Sequence, residues 1–198
     1  MTSQNMSSSS NLYEIRWHGR GGQGAITAAK IVAKAAYLEG YHGVTAAPSF
    51  GAERRGAPVS ASTRISGEPI LVMSQVEAPN VVVVLDHTLL GYEEITSGLI
   101  KCGWLVVNTW LQPEKLGISG DFNIATANAT GVCRELDLVV AGLTVVNTAI
   151  LGAFLCATKI LSMETIEKII REKFSRGAAD VNIDAIKRTY DITELQLI

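Results

Sequence analysis

The chain has 198 residues, 47% apolar and 18% charged, with a formal net charge of −2. That suffices for one α/β domain with a sizeable core and is the balance neither of a disordered tail nor of a charge-driven binder. With no long basic block, the composition argues against nucleic acid or an anionic membrane surface as the main partner.

Met1–Asn11 is rich in Ser, Asn and Gln and lacks the basic region and apolar core of a signal peptide, so a flexible arm is expected over residues 1–11. The folded domain is expected over residues 12–198. Tyr13–His18 alternates and predicts a first strand running into a glycine-rich turn. Ala25–Glu39 predicts a helix, with Ile26, Ala29, Val32, Ala33, Ala36 and Tyr37 at helical spacing and Gly40 to end it. Gly43–Ala47 predicts a short strand ended by Pro48. Val59–Ile65 alternates as a strand with one buried face, and the region to Pro69 is a candidate for antiparallel edge strands.

Val81–Leu85 is continuously apolar, as a central parallel strand covered on both faces would be. Leu105–Asn108 and Asn123–Thr126 predict two more strands. Helices are expected at Leu89–Gly98, Thr130–Leu136, Thr144–Lys159, Met163–Phe174 and Asp184–Tyr190. Leu138–Thr158 carries no charge and is long enough to raise the question of a membrane span. Gly142, Thr144, Asn147, Thr148 and Gly152 interrupt it, so a buried core or interface helix is the expectation. Strands alternating with helices indicate a single layered α/β domain, Rossmann-like, with a mostly parallel sheet and possible antiparallel edge strands.

Gly19-Arg20-Gly21-Gly22-Gln23-Gly24 satisfies G-x-G-x-x-G between a strand and a helix. Glycines permit the tight turn, and the amides at the helix start favour an anion such as a phosphate. A dinucleotide site also expects an acidic residue about 20 positions on; the next strand instead runs into Ala46, Ala47 and Pro48. The loop therefore reads either as a phosphate or coenzyme contact or as a tight turn packed against a partner.

Arg54 and Arg55 stand between Gly51 and Gly56, with Pro58 following. Paired guanidinium groups suit a phosphate or carboxylate, because each can donate two parallel hydrogen bonds. They can clamp an anionic ligand, pair with carboxylates on another chain, or be a solvated charged loop. Cys102, Cys133 and Cys156 are scattered without C-x-x-C spacing, which argues against a disulfide framework or a cluster site and fits a reducing cytoplasm. His18, His42 and His87 show neither metal-ligand spacing nor a nucleophile motif. Asp86, at the end of the apolar strand, reads as a helix cap or a ligand group, the cap being preferred. No acid/base pair emerges, so no catalytic residue is assigned.

Ile15-Arg16-Trp17-His18-Gly19-Arg20-Gly21-Gly22-Gln23-Gly24-Ala25 and Phe50-Gly51-Ala52-Glu53-Arg54-Arg55-Gly56-Ala57-Pro58-Val59 resemble the two signatures of the gamma subunit of pyruvate:ferredoxin oxidoreductase and its relatives. Weaker similarity runs through Asn128-Ala129-Thr130, Val146–Gly152 and Asn182–Tyr190. The resemblance implies a non-autonomous part of an enzyme that oxidatively decarboxylates a pyruvate-like, branched-chain or aryl 2-oxoacid to its acyl-coenzyme A. It implies no cofactor held by this chain alone. Coenzyme A would be the co-substrate, with thiamine diphosphate and 4Fe-4S clusters on alpha, beta and ferredoxin-like delta partners and electrons passing to ferredoxin or another acceptor. Gly19, Arg20, Gly21, Gly22, Gln23, Gly24, Arg54 and Arg55 would be the coenzyme or subunit contacts. The competing readings are a stand-alone nucleotide- or coenzyme-binding Rossmann-like protein and a purely structural subunit.

Overall fold

The computed structural model describes residues 12–49, 56–71, 74–92, 95–140 and 143–198; the expected arm, Arg54 and Arg55 lie outside them. Strand β1 (Tyr13–Arg20) leads into helix α1 (Ala25–Leu38), then β2 (Gly43–Pro48) and β3 (Pro58–Ser66). Next come β4 (Val81–Val84), β5 (Trp104–Asn108), β6 (Asn123–Ala127) and α2 (Ala129–Glu135). Two short strands follow, β7 (Val139–Val140) and β8 (Leu143–Thr144), then α3 (Ile150–Thr158), α4 (Met163–Lys173), α5 (Arg176–Asp191) and β9 (Glu194–Gln196).

Among the described residues seven strands form one sheet in the order β2-β3-β1-β4-β5-β6-β9. β1, β4, β5 and β6 run parallel in the centre, while β3 on β1, β2 on β3 and β9 on β6 are antiparallel. The expected α/β fold, with its antiparallel strands in the Val59–Pro69 region, is therefore present. The chain leaves β1 toward β3 and β2 and then returns to lay β4 on the other side. The strand order thus reverses between β1 and β4, where open α/β sheets place ligands.

Helix packing follows from side-chain size. α1 buries Ala25, Ala28, Ala29, Val32, Ala35 and Ala36 together with Ile31, and small alanines let it lie close to the sheet. Tyr37, expected on that stripe, is 67% exposed, because the buried face runs one position earlier. Trp17 stacks at a tilt on Phe154, 5.6 Å between centroids, and its indole donates to Thr63 Oγ1, which donates to the Ala29 carbonyl. This buried relay ties β1, β3 and α1 and leaves none of its polar groups unpaired. A second core, on the opposite sheet face, joins Val82, Val84, Leu105 and Val107 to Leu89 and Phe122. Val81–Val84 is thus covered on both faces, as its unbroken apolar run implies.

Three expected helices differ. In place of a helix over Leu89–Gly98, Asp86 caps a 3-10 turn at His87–Gly91, and Gly98 takes φ +73° hard against the Glu77 carbonyl, where no helix can pass. The helix expected at Thr144–Lys159 begins only at Ile150, since Val139–Val140 pairs with Leu143–Thr144 in a short antiparallel hairpin. The β-branched run Thr144-Val145-Val146 suits extended backbone better than a helix. Finally, α5 starts at Arg176 rather than Asp184, its stripe of Ala179, Asn182, Ile183 and Ile186 extending the expected segment backward. β9, absent from the sequence expectations, forms by pairing with β6. No helix among the described residues is long and apolar enough to cross a membrane.

Candidate functional site

The glycine-rich segment closes the carboxyl end of β1 and turns largely on itself. The Gln23 amide donates to the Arg20 carbonyl at 2.9 Å, and the Arg20 amide donates to Gln23 Oε1 at 2.7 Å. The Gly21 amide donates to the Ala57 carbonyl at 2.8 Å, and the Gly56 amide to the Gly21 carbonyl at 3.1 Å. Those bonds zip the loop to the two residues that follow the Arg54–Arg55 pair in sequence. Gly24 then enters α1 at φ +81°, with the Asn147 side chain in the space that a Cβ would take, and no side chain caps the helix start. Asn147 is buried, and its Oδ1 has no hydrogen-bond partner among the described residues.

Arg20 reaches across the strand reversal. Its Nε donates to Asp86 Oδ2 at 3.0 Å, Nη2 to Thr88 Oγ1 at 2.7 Å, and Nη1 to the Gly56 carbonyl at 3.2 Å. Gln23 Nε2 adds a bond to Asp86 Oδ2 at 3.3 Å, while Asp86 Oδ1 accepts from the Thr88 amide and hydroxyl. Burial alone would raise the Asp86 pKa. The bonds from Thr88, Gln23 and Arg20 outweigh it and hold the carboxyl below its ordinary value. With four acceptor sites taken, Asp86 has little left for a ribose hydroxyl. It is both the expected cap and the strut that fastens the glycine loop to β4.

His18 faces the other side of the sheet. Arg16 Nε donates to its Nε2 at 2.9 Å, so Nδ1 carries the ring proton. Burial first, and the Arg16 charge second, lower its pKa to about 4. It lines a groove of about 620 Å³ with Arg16, Ser60, Ser62 and Arg64, where Arg64 is held by Glu14 at 2.7 Å.

A second opening, of about 440 Å³, lies at the carboxyl ends of β4, β5 and β6. Its floor is Asn108, whose Nδ2 donates to the Leu85 carbonyl and Thr130 Oγ1, both at 2.8 Å, while its Oδ1 accepts from the Thr130 amide. Asn128 caps α2 through the Gly131 amide at 2.9 Å. Trp110 stands at the rim, 67% exposed, edge-on to His87 with centroids 4.5 Å apart. Arg134, in the last turn of α2, borders the same space and makes no side-chain hydrogen bond or ion pair among the described residues.

Residues 14–192 match the pattern of the family described as pyruvate ferredoxin/flavodoxin oxidoreductase. The chain is 44% identical over 187 residues to the pyruvate/ketoisovalerate oxidoreductases common subunit gamma of Pyrococcus furiosus, covering 93% of this chain and 98% of that one. The pyruvate synthase subunit PorC of Methanothermobacter marburgensis is 44% identical over 180 residues, covering 91% and 97%. The crystal structure of pyruvate oxidoreductase subunit PORC from Thermotoga maritima superposes with a TM-score of 0.81 at 37% identity, covering 93% and 98%. The chain belongs to the gamma-subunit family of pyruvate and 2-oxoacid ferredoxin oxidoreductases.

For a member of an oxidoreductase family, the chain is poor in redox ligands. Cys133 is buried and its thiol is pushed up to about 12 by desolvation, while Cys102 is exposed and Cys156 half-buried. No group of three His, Cys, Asp or Glu side chains converges among the described residues. The described residues do not fit an iron–sulfur cluster, which takes several thiolates around one centre. Of the sequence candidates, the structure brings Arg20, Gln23 and the glycines together. The strut to Asp86 and the Trp110 rim were not foreseen. An acid ending one apolar strand and an aromatic two residues beyond Asn108, which ends the next, are the only sequence signals for them.

Proposed function

We propose that this gamma subunit works inside a thiamine diphosphate- and iron–sulfur-dependent 2-oxoacid:acceptor oxidoreductase. The complex would convert a pyruvate-like, branched-chain or aryl 2-oxoacid and coenzyme A to the acyl-coenzyme A and carbon dioxide. Two electrons would pass to ferredoxin or another acceptor. Thiamine diphosphate and the 4Fe-4S clusters belong to the alpha, beta and delta partners. This chain's part is to guide coenzyme A and to hold the assembly together.

The observation that carries this reading is the joining of two separate signature segments at one place. The glycine loop is zipped to Gly56 and Ala57 at the carboxyl edge of the sheet, next in sequence to Arg54 and Arg55. A glycine-rich helix start suits the phosphates of coenzyme A, and so does an arginine pair that directly precedes Gly56 in sequence. Replacing Arg54 and Arg55 by alanine in the assembled complex tests it. The expected result is a raised KM for coenzyme A, with thiamine still bound to the partner. Unchanged kinetics together with an intact complex would remove the role.

A second reading has its own support. Arg20, Gln23 and Asp86 direct their hydrogen bonds chiefly at one another, as a purely structural subunit would have them. In that case the same double substitution loosens assembly and leaves the KM for coenzyme A where it was.

A further inference from the structure

We propose that the open groove over β1, β3 and β2 receives an extended, carboxylate-bearing segment of a larger partner subunit, with the carboxylate seated at Arg64. This rests on the chain being one subunit of a complex and not on the coenzyme A reading.

Strand alternation sets the face. Ile15 and Trp17 are buried in the core shared with α1, so Arg16 and His18 stand on the opposite side of the sheet. Pairing places Val82 beside Arg16 and Val84 beside His18 on that same side, and there the chain covers itself with Leu89 and Phe122. Toward the β2 edge the composition changes. Thr45, Arg64 and Glu14 form one row across the sheet, Ala47, Ser62 and Arg16 the next, and Ser60 and His18 a third. Short hydroxyl side chains leave the groove of about 620 Å³ open above them. Arg64 is 5% exposed; its Nε donates to Glu14 and its Nη2 to the Ser74 carbonyl, while Nη1 makes no hydrogen bond among the described residues. A buried guanidinium with donors to spare is a seat for a carboxylate. His18 accepts from Arg16 at Nε2 and keeps its Nδ1 proton to donate. The hydroxyls of Thr45, Ser49, Ser60, Ser62, Ser74 and Ser97 line the groove and bond to no described residue. Each can donate or accept, as the carbonyls and amides of a peptide require. Glu14 is spent on Arg64, which leaves the exposed Gln75 and Glu77 as the acceptors on the border. The free donors do not converge on one point, as a small anion would need. They follow the rows over about 13 Å, the length of about four extended residues.

The test uses the purified complex with Ser62, in the middle row, replaced. Ser62→Asp sets a carboxylate in the groove, and Ser62→Asn adds the same bulk without the charge. Release of this chain on dilution is followed by native mass spectrometry, with far-ultraviolet dichroism of each isolated variant to show that the fold has held. Ser62→Asp should weaken the hold on this chain on the order of tenfold, and Ser62→Asn less than about threefold. Equal weakening by both, or none by Ser62→Asp, overturns the proposal. If Ser62→Asp does not fold, a photoreactive benzoylphenylalanine at exposed Thr45 decides in the otherwise unmutated complex. A cross-link to an Asp- or Glu-bearing segment of a larger subunit supports the proposal. A cross-link to a second copy of this chain, or none to any subunit, overturns it. The unmutated complex separates the two levels. If it holds together and the Ser62 variants do so equally well, only the groove's role falls, whereas a chain that purifies alone removes the subunit reading itself.

Discussion

Gly24 is where the glycine loop becomes helix α1, and replacing it by alanine should be costly for two separable reasons. At φ +81° the backbone is left-handed, which costs an alanine about 1–2 kcal/mol that glycine does not incur. The new methyl would also point into the Asn147 amide, and such overpacking costs about 1–3 kcal/mol. Together these give about 2–5 kcal/mol, or a drop of about 1–2 M in the urea midpoint at a slope of about 2–3 kcal/mol per M. The assay is equilibrium unfolding of the chain followed by far-ultraviolet dichroism and by emission from buried Trp17, which should coincide if unfolding is two-state. Combining Gly24→Ala with Asn147→Ala should recover the packing part and leave about 1–2 kcal/mol. A midpoint shift below about 0.2 M for Gly24→Ala, or no recovery in the double variant, would refute the reasoning.

Gly152 on α3 lies against the Ile186 carbonyl and the Tyr190 amide of α5, backbone that cannot step aside. Gly152→Ala should therefore lower the melting temperature by roughly 4–10 °C, read by calorimetry. His18 gives a pH signature: its folded pKa near 4 lies below the ordinary 6.5, so the unfolded chain binds the extra proton as pH falls through 6.5. Stability attributable to His18 should be full above pH 7, drop by about 2 kcal/mol by pH 5 and level off below pH 4. Urea unfolding at pH 7 and pH 5 checks this, and His18→Gln should remove most of the difference. An equal pH loss in that variant would count against a neutral buried His18.

The core was legible wherever burial alone decides structure. Val81–Val84 announced a central strand by its unbroken apolar run, and Tyr13–Arg20 by alternation. The segments that went wrong are those where a partner far along the chain decides. Gly98 is placed by the Glu77 carbonyl, the hairpin before α3 by pairing of two-residue strands, and β9 by the edge of β6. Local propensity carries no trace of such contacts. The glycine loop was legible as a strand-to-helix turn, but not its internal satisfaction. Nothing near Arg20 in sequence foretells Asp86 and Thr88, which lie 66 and 68 positions on. The Trp110 rim depends on three strand ends converging, which only the sheet order supplies.

The most direct measurement is gentle anaerobic purification of the chain from its source cells, with an absorption spectrum, a thiamine assay and coenzyme A-dependent 2-oxoacid oxidation on the eluate. The account predicts a brown, thiamine-containing complex in which this chain accompanies larger partners and which forms acyl-coenzyme A. A colourless chain that elutes alone, as monomer or homo-oligomer, and binds a nucleotide tightly by itself would contradict it.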